Sequence, residues 1–280
     1  MKADAPSSPD APSPAPSTHP PVVWADGDAY EAYMGRWSRI VAPEFLAWLA
    51  VAPNSRWLEI GCGTGILTQA ILQTAQPAEI QAIDRAAGFI AFARAQVSDP
   101  RVRFEIADVQ QLAVASAAFD AAVAGLLLNF LPDPQRTVDA MLQAVRVGGT
   151  IAAYVWDYAE HMQFVRHFWE AAEELDPEAS ALEQGRRFPL CRPEPLLELF
   201  RSASLQQVEV RAIDIPTHFE TFESYWQPFL GGQGVAPSYV MALPEDRRIA
   251  LRERLQQRLP VAPDGSIPLT ARAWAVRGIR

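Results

Sequence analysis

Between Arg56 and Asp157, short runs of apolar residues alternate with stretches whose apolar positions follow a helical repeat. This alternation constrains the fold more than any other feature, because a repeated strand–helix order favours a mostly parallel sheet with helices on both faces. The predicted strands span residues 56–60, 79–84, 103–107, 120–127 and 150–157. The predicted helices between them span residues 65–76, 88–98 and 135–147.

The sequence on either side of this region predicts further elements. Residues 28–50 predict two helices, with Tyr30, Tyr33 and Trp37 on one face and Pro43 in the first turn of the second helix. Further helices are predicted over residues 161–175 and 193–203, and two last strands over residues 207–215 and 269–277. A helical insertion, residues 216–264, separates those two strands. We therefore expect a doubly wound α/β sheet of seven strands with a helical insertion before the last strand.

Composition limits the domain organisation and the setting. Residues 1–23 are dense in Pro, Ala and Ser and contain no apolar segment, so we predict a disordered tail rather than a secretory signal. The folded domain is expected over residues 24–280, and no apolar run in it is long enough to span a membrane. Cys62 and Cys191, the two cysteines, have neither disulfide nor metal-site spacing. We expect no metal centre and a reducing, cytoplasmic setting.

Charge indicates which partners are suitable. The formal net charge is −9, and the arginines are scattered among acidic residues. Binding to nucleic acid needs clustered cations that neutralise phosphates, so we expect no nucleic-acid partner. A small-molecule partner fits better, and the sequence does not indicate an oligomeric state.

Residues 57–66, WLEIGCGTGI, form a predicted strand that ends in Gly-x-Gly-x-Gly and opens a helix. Glycines at this position let a ligand approach the backbone, because no Cβ atom blocks it. Dinucleotide-binding oxidoreductases use the spacing Gly-x-Gly-x-x-Gly instead. Here Ile66 occupies the last position of that pattern, and Gly65 comes one residue early. The spacing therefore argues against a nicotinamide-dependent oxidoreductase.

Four segments in order, WLEIGCGTG, IDRAAGF, FEIADV and VGGTIAAYVWD, resemble the class I S-adenosylmethionine-dependent methyltransferases, in the branch of small-molecule and quinone-type enzymes. The resemblance covers residues 30–160 well and the remainder loosely. It implies a Rossmann-like sheet, S-adenosyl-L-methionine as cofactor, and methyl transfer to a small, apolar or aromatic acceptor. The chain departs from the family at Val147, where proline is commoner.

Asp84 ends the second predicted strand, 23 residues beyond Gly61. At an offset of roughly 20 residues an acid reaches the ribose hydroxyl pair in such folds, and a strand-end acid facing water is the alternative. The resemblance implies that Arg85 flanks the adenine and that Asp108 and Val109 hold its amino edge. Asp108 could instead cap the following helix. The full set of expected cofactor contacts is Tyr30, Arg36, Glu59, Gly61, Cys62, Gly63, Asp84, Arg85, Asp108, Val109 and Leu126.

Two charged residues in this set need partners. Glu59 interrupts an apolar strand, where a buried unpaired charge is costly. The resemblance places it at the methionine end of the cofactor, and an ion pair with Arg56 or another arginine is the alternative. Arg36 could form a fork with the cofactor carboxylate beside Tyr30, although helix packing alone would explain the tyrosines. Cys62 lacks an adjacent histidine, so we do not expect a nucleophile there.

Methyl transfer from a sulfonium is an in-line displacement, so positioning of donor and acceptor supplies much of the rate. Asn129 follows the fourth predicted strand and is expected to face the cleft. Asp157 and His161, just past the fifth strand, are candidate bases, and a helix-capping Asp and a surface His are the alternatives. The segment AGLLLNFLPD lacks the Asn-Pro-Pro-Tyr type of motif of amino-directed DNA methyltransferases.

Seven of the aromatic residues in the predicted lid segment, residues 158–192, and in the insertion are expected to flank the cleft. They predict a lid over an apolar or aromatic acceptor, or else core packing. They are Phe164, Phe168, Trp169, Phe219, Phe222, Tyr225 and Trp226. A different function, a non-catalytic S-adenosylmethionine-binding module whose aromatic insertion docks a protein, fits the same pattern.

Overall fold

A seven-stranded mixed sheet organises the fold. The structure is a computed structural model that describes residues 26–111 and 116–280; the whole of the expected tail, residues 1–23, and the stretch 112–115 lie outside the described residues. The strands are β1 (Arg56–Ile60), β2 (Glu79–Asp84), β3 (Val102–Ile106), β4 (Phe119–Gly125), β5 (Val145–Trp156), β6 (Gln206–Phe219) and β7 (Ile267–Ile279). Their order is β3-β2-β1-β4-β5-β7-β6, and β7 runs antiparallel to both of its neighbours. The predicted seven-stranded, mostly parallel sheet is confirmed.

Helices cover both faces of this sheet. The α-helices are α1 (Gly27–Tyr30), α2 (Arg36–Leu49), α3 (Ile66–Thr74), α4 (Ala87–Gln96), α5 (Pro134–Ala144), α6 (Gln163–Leu175), α7 (Gln184–Arg187), α8 (Pro193–Ser202), α9 (Phe222–Trp226), α10 (Val235–Ala242) and α11 (Glu245–Arg258). Successive residues of β1 point to opposite faces, with Trp57 in one apolar cluster and Leu58 in the other. Each face of the sheet is therefore buried, which explains why the strands read as nearly continuous apolar runs.

The insertion contains α9, α10 and α11 and lies between the two last strands, as expected. Pairing of β5 with β7 ends at Trp156 and Ala273, whereas pairing of β6 with β7 continues to Phe219 and Ile267. The β6–β7 pair thus projects beyond the carboxyl end of β5. No helix in the described ranges is long and apolar enough to cross a membrane.

Several element boundaries differ from those expected. β4 ends at Gly125, so Leu126 lies in the following turn with φ +56°, a left-handed conformation that no strand pattern predicts. β6 continues four residues past position 215, because Thr217 and Phe219 on its inner face are fully buried. The prediction that the insertion begins at residue 216 was therefore wrong.

Pro43 does not open a second helix. It lies inside the continuous helix α2. The helix loses the one hydrogen bond that proline cannot donate. It still buries Val41, Ala42 and Phe45 on its inner face, so tertiary packing outweighs the local preference. A π-helical turn, Glu31–Gly35, precedes it, and such turns are frequent at functional sites.

The start of β5 also departs from the sequence pattern, which continued the helix to residue 147 and began the strand at residue 150, whereas β5 begins at Val145. Phe119 of β4 pairs with Val145, and Ala121 pairs with Thr150, so four residues of β5 face one residue of β4. The segment around Val147 is therefore a bulge within β5, with Gly148 at φ +79°.

Candidate active site

A cavity of about 370 Å³ opens where the carboxyl ends of β1, β2, β4 and β5 meet. In parallel α/β sheets this edge is where ligands bind. Eight of the expected cofactor contacts line it: Tyr30, Gly61, Gly63, Asp84, Arg85, Asp108, Val109 and Leu126. The other three, Arg36, Glu59 and Cys62, do not line this cavity.

The glycine turn forms one wall of the cavity, and its three glycines have different surroundings. All three have positive φ, +70° at Gly61, +53° at Gly63 and +86° at Gly65. A Cβ on Gly61 would lie 2.7 Å from the Leu127 side chain, and one on Gly65 would lie 3.3 Å from Ala93. At Gly63 the nearest atom would be 4.0 Å away. Only Gly63 therefore leaves space that a bound molecule could occupy.

Asp84 links this turn to the end of β2. Its two carboxylate oxygens accept hydrogen bonds from the backbone N–H groups of Gly63, at 2.9 Å, and Ala86, at 2.8 Å. Burial raises the pKa of Asp84, and the two backbone donors oppose that shift. Each oxygen keeps a free lone pair, so the carboxylate can still accept from a ligand hydroxyl.

Asp108 caps a turn and also lines the cavity, so its position is compatible with both roles that the sequence left open. Its carboxylate accepts from the backbone N–H of Gln110 at 2.9 Å, which caps the short 3-10 turn Val109–Gln111. The same residue lines the cavity beside Val109. Capping and ligand contact are therefore compatible at this position.

Glu59 is buried below the glycine turn, with 1% of its surface exposed. The Thr68 hydroxyl donates to its carboxylate, and burial raises the pKa of Glu59 to about 8. Among the described residues no basic side chain lies within 4.0 Å of it. The considered ion pair with Arg56 does not form, because the Arg56 guanidinium lies 3.6 Å from Glu79 instead.

Cys62 and Arg36 lie outside the cavity in different surroundings. Burial raises the pKa of the Cys62 thiol, which disfavours the thiolate that a nucleophile would need. The Arg36 guanidinium lies 4.3 Å from the Trp37 ring centroid and 4.6 Å from that of Phe219. Its expected contact with the cofactor carboxylate stays a prediction.

The two candidate bases are hydrogen-bonded to each other. Nδ1 of His161 lies 2.8 Å from one carboxylate oxygen of Asp157, and the other oxygen accepts from the backbone N–H of Glu160 at 2.8 Å. Asp157 is buried, whereas 44% of the His161 side chain is exposed. Asn129 is buried with an unpaired side-chain nitrogen. None of the three lines the cavity.

The aromatic residues of the predicted lid and insertion lie in the core instead of the cavity wall. Phe164 packs against Phe219 at 5.1 Å and Tyr225 at 5.2 Å between ring centroids, and Phe168 stacks on Phe229 at 4.5 Å. The cavity wall contains aromatic residues that were not singled out as site residues: Phe89, Phe130, Trp156 and Tyr158. Position could have identified Phe130, Trp156 and Tyr158, because each ends or follows a predicted strand, whereas Phe89 lies inside a predicted helix.

Comparison with known proteins agrees with this geometry. Residues 58–153 match the family model described as a methyltransferase domain. A trans-aconitate 2-methyltransferase from Deinococcus radiodurans is 32% identical over 123 residues, 43% of this chain and 46% of that protein. A ubiquinone biosynthesis O-methyltransferase from Xanthomonas campestris is 30% identical over 111 residues, 39% of this chain and 46% of that protein. The chain thus spans about half the length of these curated relatives.

The fold has solved counterparts. A phosphoethanolamine N-methyltransferase 2 from Haemonchus contortus, in complex with S-adenosyl-L-methionine, superposes with a TM-score of 0.56 at 14% identity. The superposition covers 90% of this chain and 56% of that one. At this identity the likeness concerns the fold alone. The family match shows that residues 58–153 form a methyltransferase domain, and the sheet order agrees with the fold of the class I S-adenosylmethionine-dependent methyltransferases.

Proposed function

We propose that the protein is an S-adenosylmethionine-dependent methyltransferase that acts on a small molecule. The glycine turn carries this proposal, since Gly63 keeps open space next to the Asp84 carboxylate at the carboxyl edge of the sheet. The names of the curated relatives, which concern trans-aconitate and ubiquinone biosynthesis, support a small-molecule acceptor.

The residues around the cavity fit this cofactor. Asp84 can accept from ribose hydroxyls, and Asp108 can accept from the adenine amino group while the Val109 N–H donates to a ring nitrogen. The backbone at Gly61 and Gly63 can approach the amino-acid end closely. When bound, S-adenosylmethionine would supply an activated methyl group, and this chain's residues would bind and orient both reactants.

A base is needed only for an acceptor that loses a proton. We propose His161 for this step, because the Asp157 carboxylate fixes its ring and leaves the other ring nitrogen available. Since His161 lies outside the cavity lining, the acceptor would extend past the end of β5 to meet it.

His161→Ala is expected to lower turnover at least tenfold and to leave the affinity for S-adenosylhomocysteine unchanged. Turnover with a native acceptor and calorimetric titration measure the two effects. His218→Ala, at an exposed histidine of β6, serves as the matched control. Unchanged turnover in His161→Ala would remove this residue from the mechanism.

Transfer of a tritiated methyl group into pooled metabolites tests the proposed function. We expect label in the small-molecule fraction, in amounts that depend on active protein. A non-catalytic module would bind the cofactor and release no labelled product. Because both cysteines are free and buried, we also infer a reducing, cytoplasmic setting.

A further inference from the structure

The Arg36 guanidinium has no acidic partner among the described residues. Its Nε and Nη2 atoms are buried and have no hydrogen-bond partner, and no acidic side chain of the described residues lies within ion-pair distance. Burial lowers the pKa of Arg36, and no neighbouring carboxylate offsets that effect. An unpaired buried guanidinium is costly, which indicates a negatively charged ligand.

Neighbouring groups are also unpaired donors. The Trp37 Nε1 and Thr217 Oγ1 atoms are buried without partners. Trp37 packs on Phe219 at 5.3 Å between ring centroids, and Thr217 lies two residues before Phe219 on the same face of β6. Both side chains therefore lie near the Phe219 ring, over which the Arg36 guanidinium packs. Donors without matching acceptors, including a guanidinium fork, suit a carboxylate.

The position of this group separates it from the glycine turn. Phe219 belongs to β6, which is four strands away from β1 in the sheet order. At about 4.8 Å per strand, β6 lies roughly 19 Å from the strand that carries the glycine turn. The aminoacyl tail of S-adenosylmethionine is only a few bonds long. A cofactor held at the glycine turn would therefore not bring its own carboxylate to Phe219.

The group lies closer to the acceptor end of the cavity. Trp156, at the end of β5, lines the cavity, and β5 is two strands from β6. The two strands are about 10 Å apart, but Trp156 is level with Ile213 through Ala273, and Phe219 lies six residues farther along β6. Met34, which also lines the cavity, is two residues before Arg36. A molecule that extends from the cavity past Met34, beyond the carboxyl end of β5, would therefore approach Arg36.

We propose that Arg36, Trp37 and Thr217 form a carboxylate-binding subsite for the methyl acceptor. The acceptor is then an aryl or other apolar acid whose carboxylate lies beyond the carboxyl end of β5. This inference rests on the proposed methyltransferase function and names its acceptor class. The proposal replaces the contact with the cofactor carboxylate that the resemblance implied for Arg36. The cofactor's own carboxylate is the competing source of the same chemistry, and the experiment separates the two.

The experiment uses the full chain, S-adenosylhomocysteine, and two probes of equal shape, 4-hydroxycinnamate and 4-hydroxycinnamamide. Calorimetry first measures S-adenosylhomocysteine binding to the wild type and Arg36→Met, and we expect affinities within about twofold. The saturated wild type should then bind the acid at least about tenfold more tightly than the amide. Arg36→Met should remove that difference, and Arg36→Lys should keep part of it.

Two further variants keep the test independent of folding. Thr217→Val removes one hydroxyl at nearly constant volume and should weaken acid binding several-fold without changing amide binding. Arg39→Met, one turn away at an exposed arginine that pairs with Glu31, should change neither affinity.

Three results would overturn the inference: a tenfold loss of S-adenosylhomocysteine affinity in Arg36→Met, equal binding of acid and amide by the wild type, or no acid binding. The first would assign the subsite to the cofactor carboxylate. Failure of the wild type to bind S-adenosylhomocysteine would instead contradict the proposed function itself.

Discussion

Gly63 differs from Gly61 and Gly65 because the space that a side chain would occupy there is free of protein atoms. The sequence motif treats Gly61, Gly63 and Gly65 alike, but only the first and third are enclosed by protein atoms. The glycine requirement at Gly61 and Gly65 follows from both packing and backbone conformation. At Gly63 it follows from the backbone conformation and from the space in front of it.

Gly63→Ala is expected to weaken S-adenosylhomocysteine binding at least tenfold, because the new methyl group would occupy the ligand's space. The positive φ adds a stability cost of about 1–2 kcal/mol. Gly265→Ala is the matched control, since Gly265 has φ +86° and no atom within 4 Å of an added Cβ. Calorimetry and denaturant unfolding should show similar stability losses in both variants and an affinity loss in Gly63→Ala alone. Equal affinities of Gly63→Ala and Gly265→Ala for S-adenosylhomocysteine would contradict the assignment of the space at Gly63 to the ligand.

Glu59 makes the stability of the ligand-free protein depend on pH. Burial raises the pKa of Glu59 to about 8, so the folded chain holds a proton that the unfolded chain releases near its ordinary pKa of about 4.3. The folded state binds more protons between these values, and the free energy of unfolding therefore falls as pH rises from about 4 to 8. Above pH 8 this contribution is constant.

Glu59→Gln should remove that dependence, because glutamine resembles the protonated acid and can still accept from Thr68. We expect the variant to match the wild type near pH 4.5 and to exceed it in stability by an amount on the order of 4 kcal/mol at pH 8. Urea unfolding at both pH values measures this difference, with Glu105→Gln on the exposed edge strand as the control. A constant difference across the pH range would show that Glu59 ionises normally.

At the scale of elements, periodicity identified the strands and most helices, and long-range packing decided where they end. Pro43 lies mid-helix because the inner face of α2 is buried, and β6 runs on to Phe219 because α2 and the insertion cover it. Position at or just after a predicted strand end found Asp84 and Asp108 at the cavity. Neither periodicity nor position after a strand end indicates how far Arg36 lies from β1 across the sheet, because these patterns do not give the order of the strands.

A buried hydrogen bond joins the insertion to the segment after β5. The Tyr225 hydroxyl of α9 donates to the backbone carbonyl of Phe164 in α6 at 2.8 Å, and both residues are fully buried. Tyr225→Phe should lower the free energy of unfolding by about 1–2 kcal/mol, because the carbonyl loses its donor. Since neither residue lines the cavity, the affinity for S-adenosylhomocysteine should stay within twofold. An affinity loss of tenfold would mean that these helices act as a lid on the site.

In the whole molecule, the residues expected to bind the cofactor and the unpaired donor group around Arg36 lie at the same edge of the sheet. The glycine turn, Asp84 and Asp108 lie on the side of β1 and β2, and the donor group around Arg36 lies on the side of β6. The cavity ends between them at Trp156. This arrangement fits a cofactor on one side and an acceptor on the other, with the reacting groups meeting near the end of β5.

The most direct test of this account is a calorimetric comparison of S-adenosylhomocysteine with the nicotinamide cofactor NAD on the wild-type chain. We expect one S-adenosylhomocysteine to bind per chain and no detectable heat from NAD, because the glycine spacing and the space at Gly63 suit the former. Binding of NAD without binding of S-adenosylhomocysteine would contradict the assignment of this cavity.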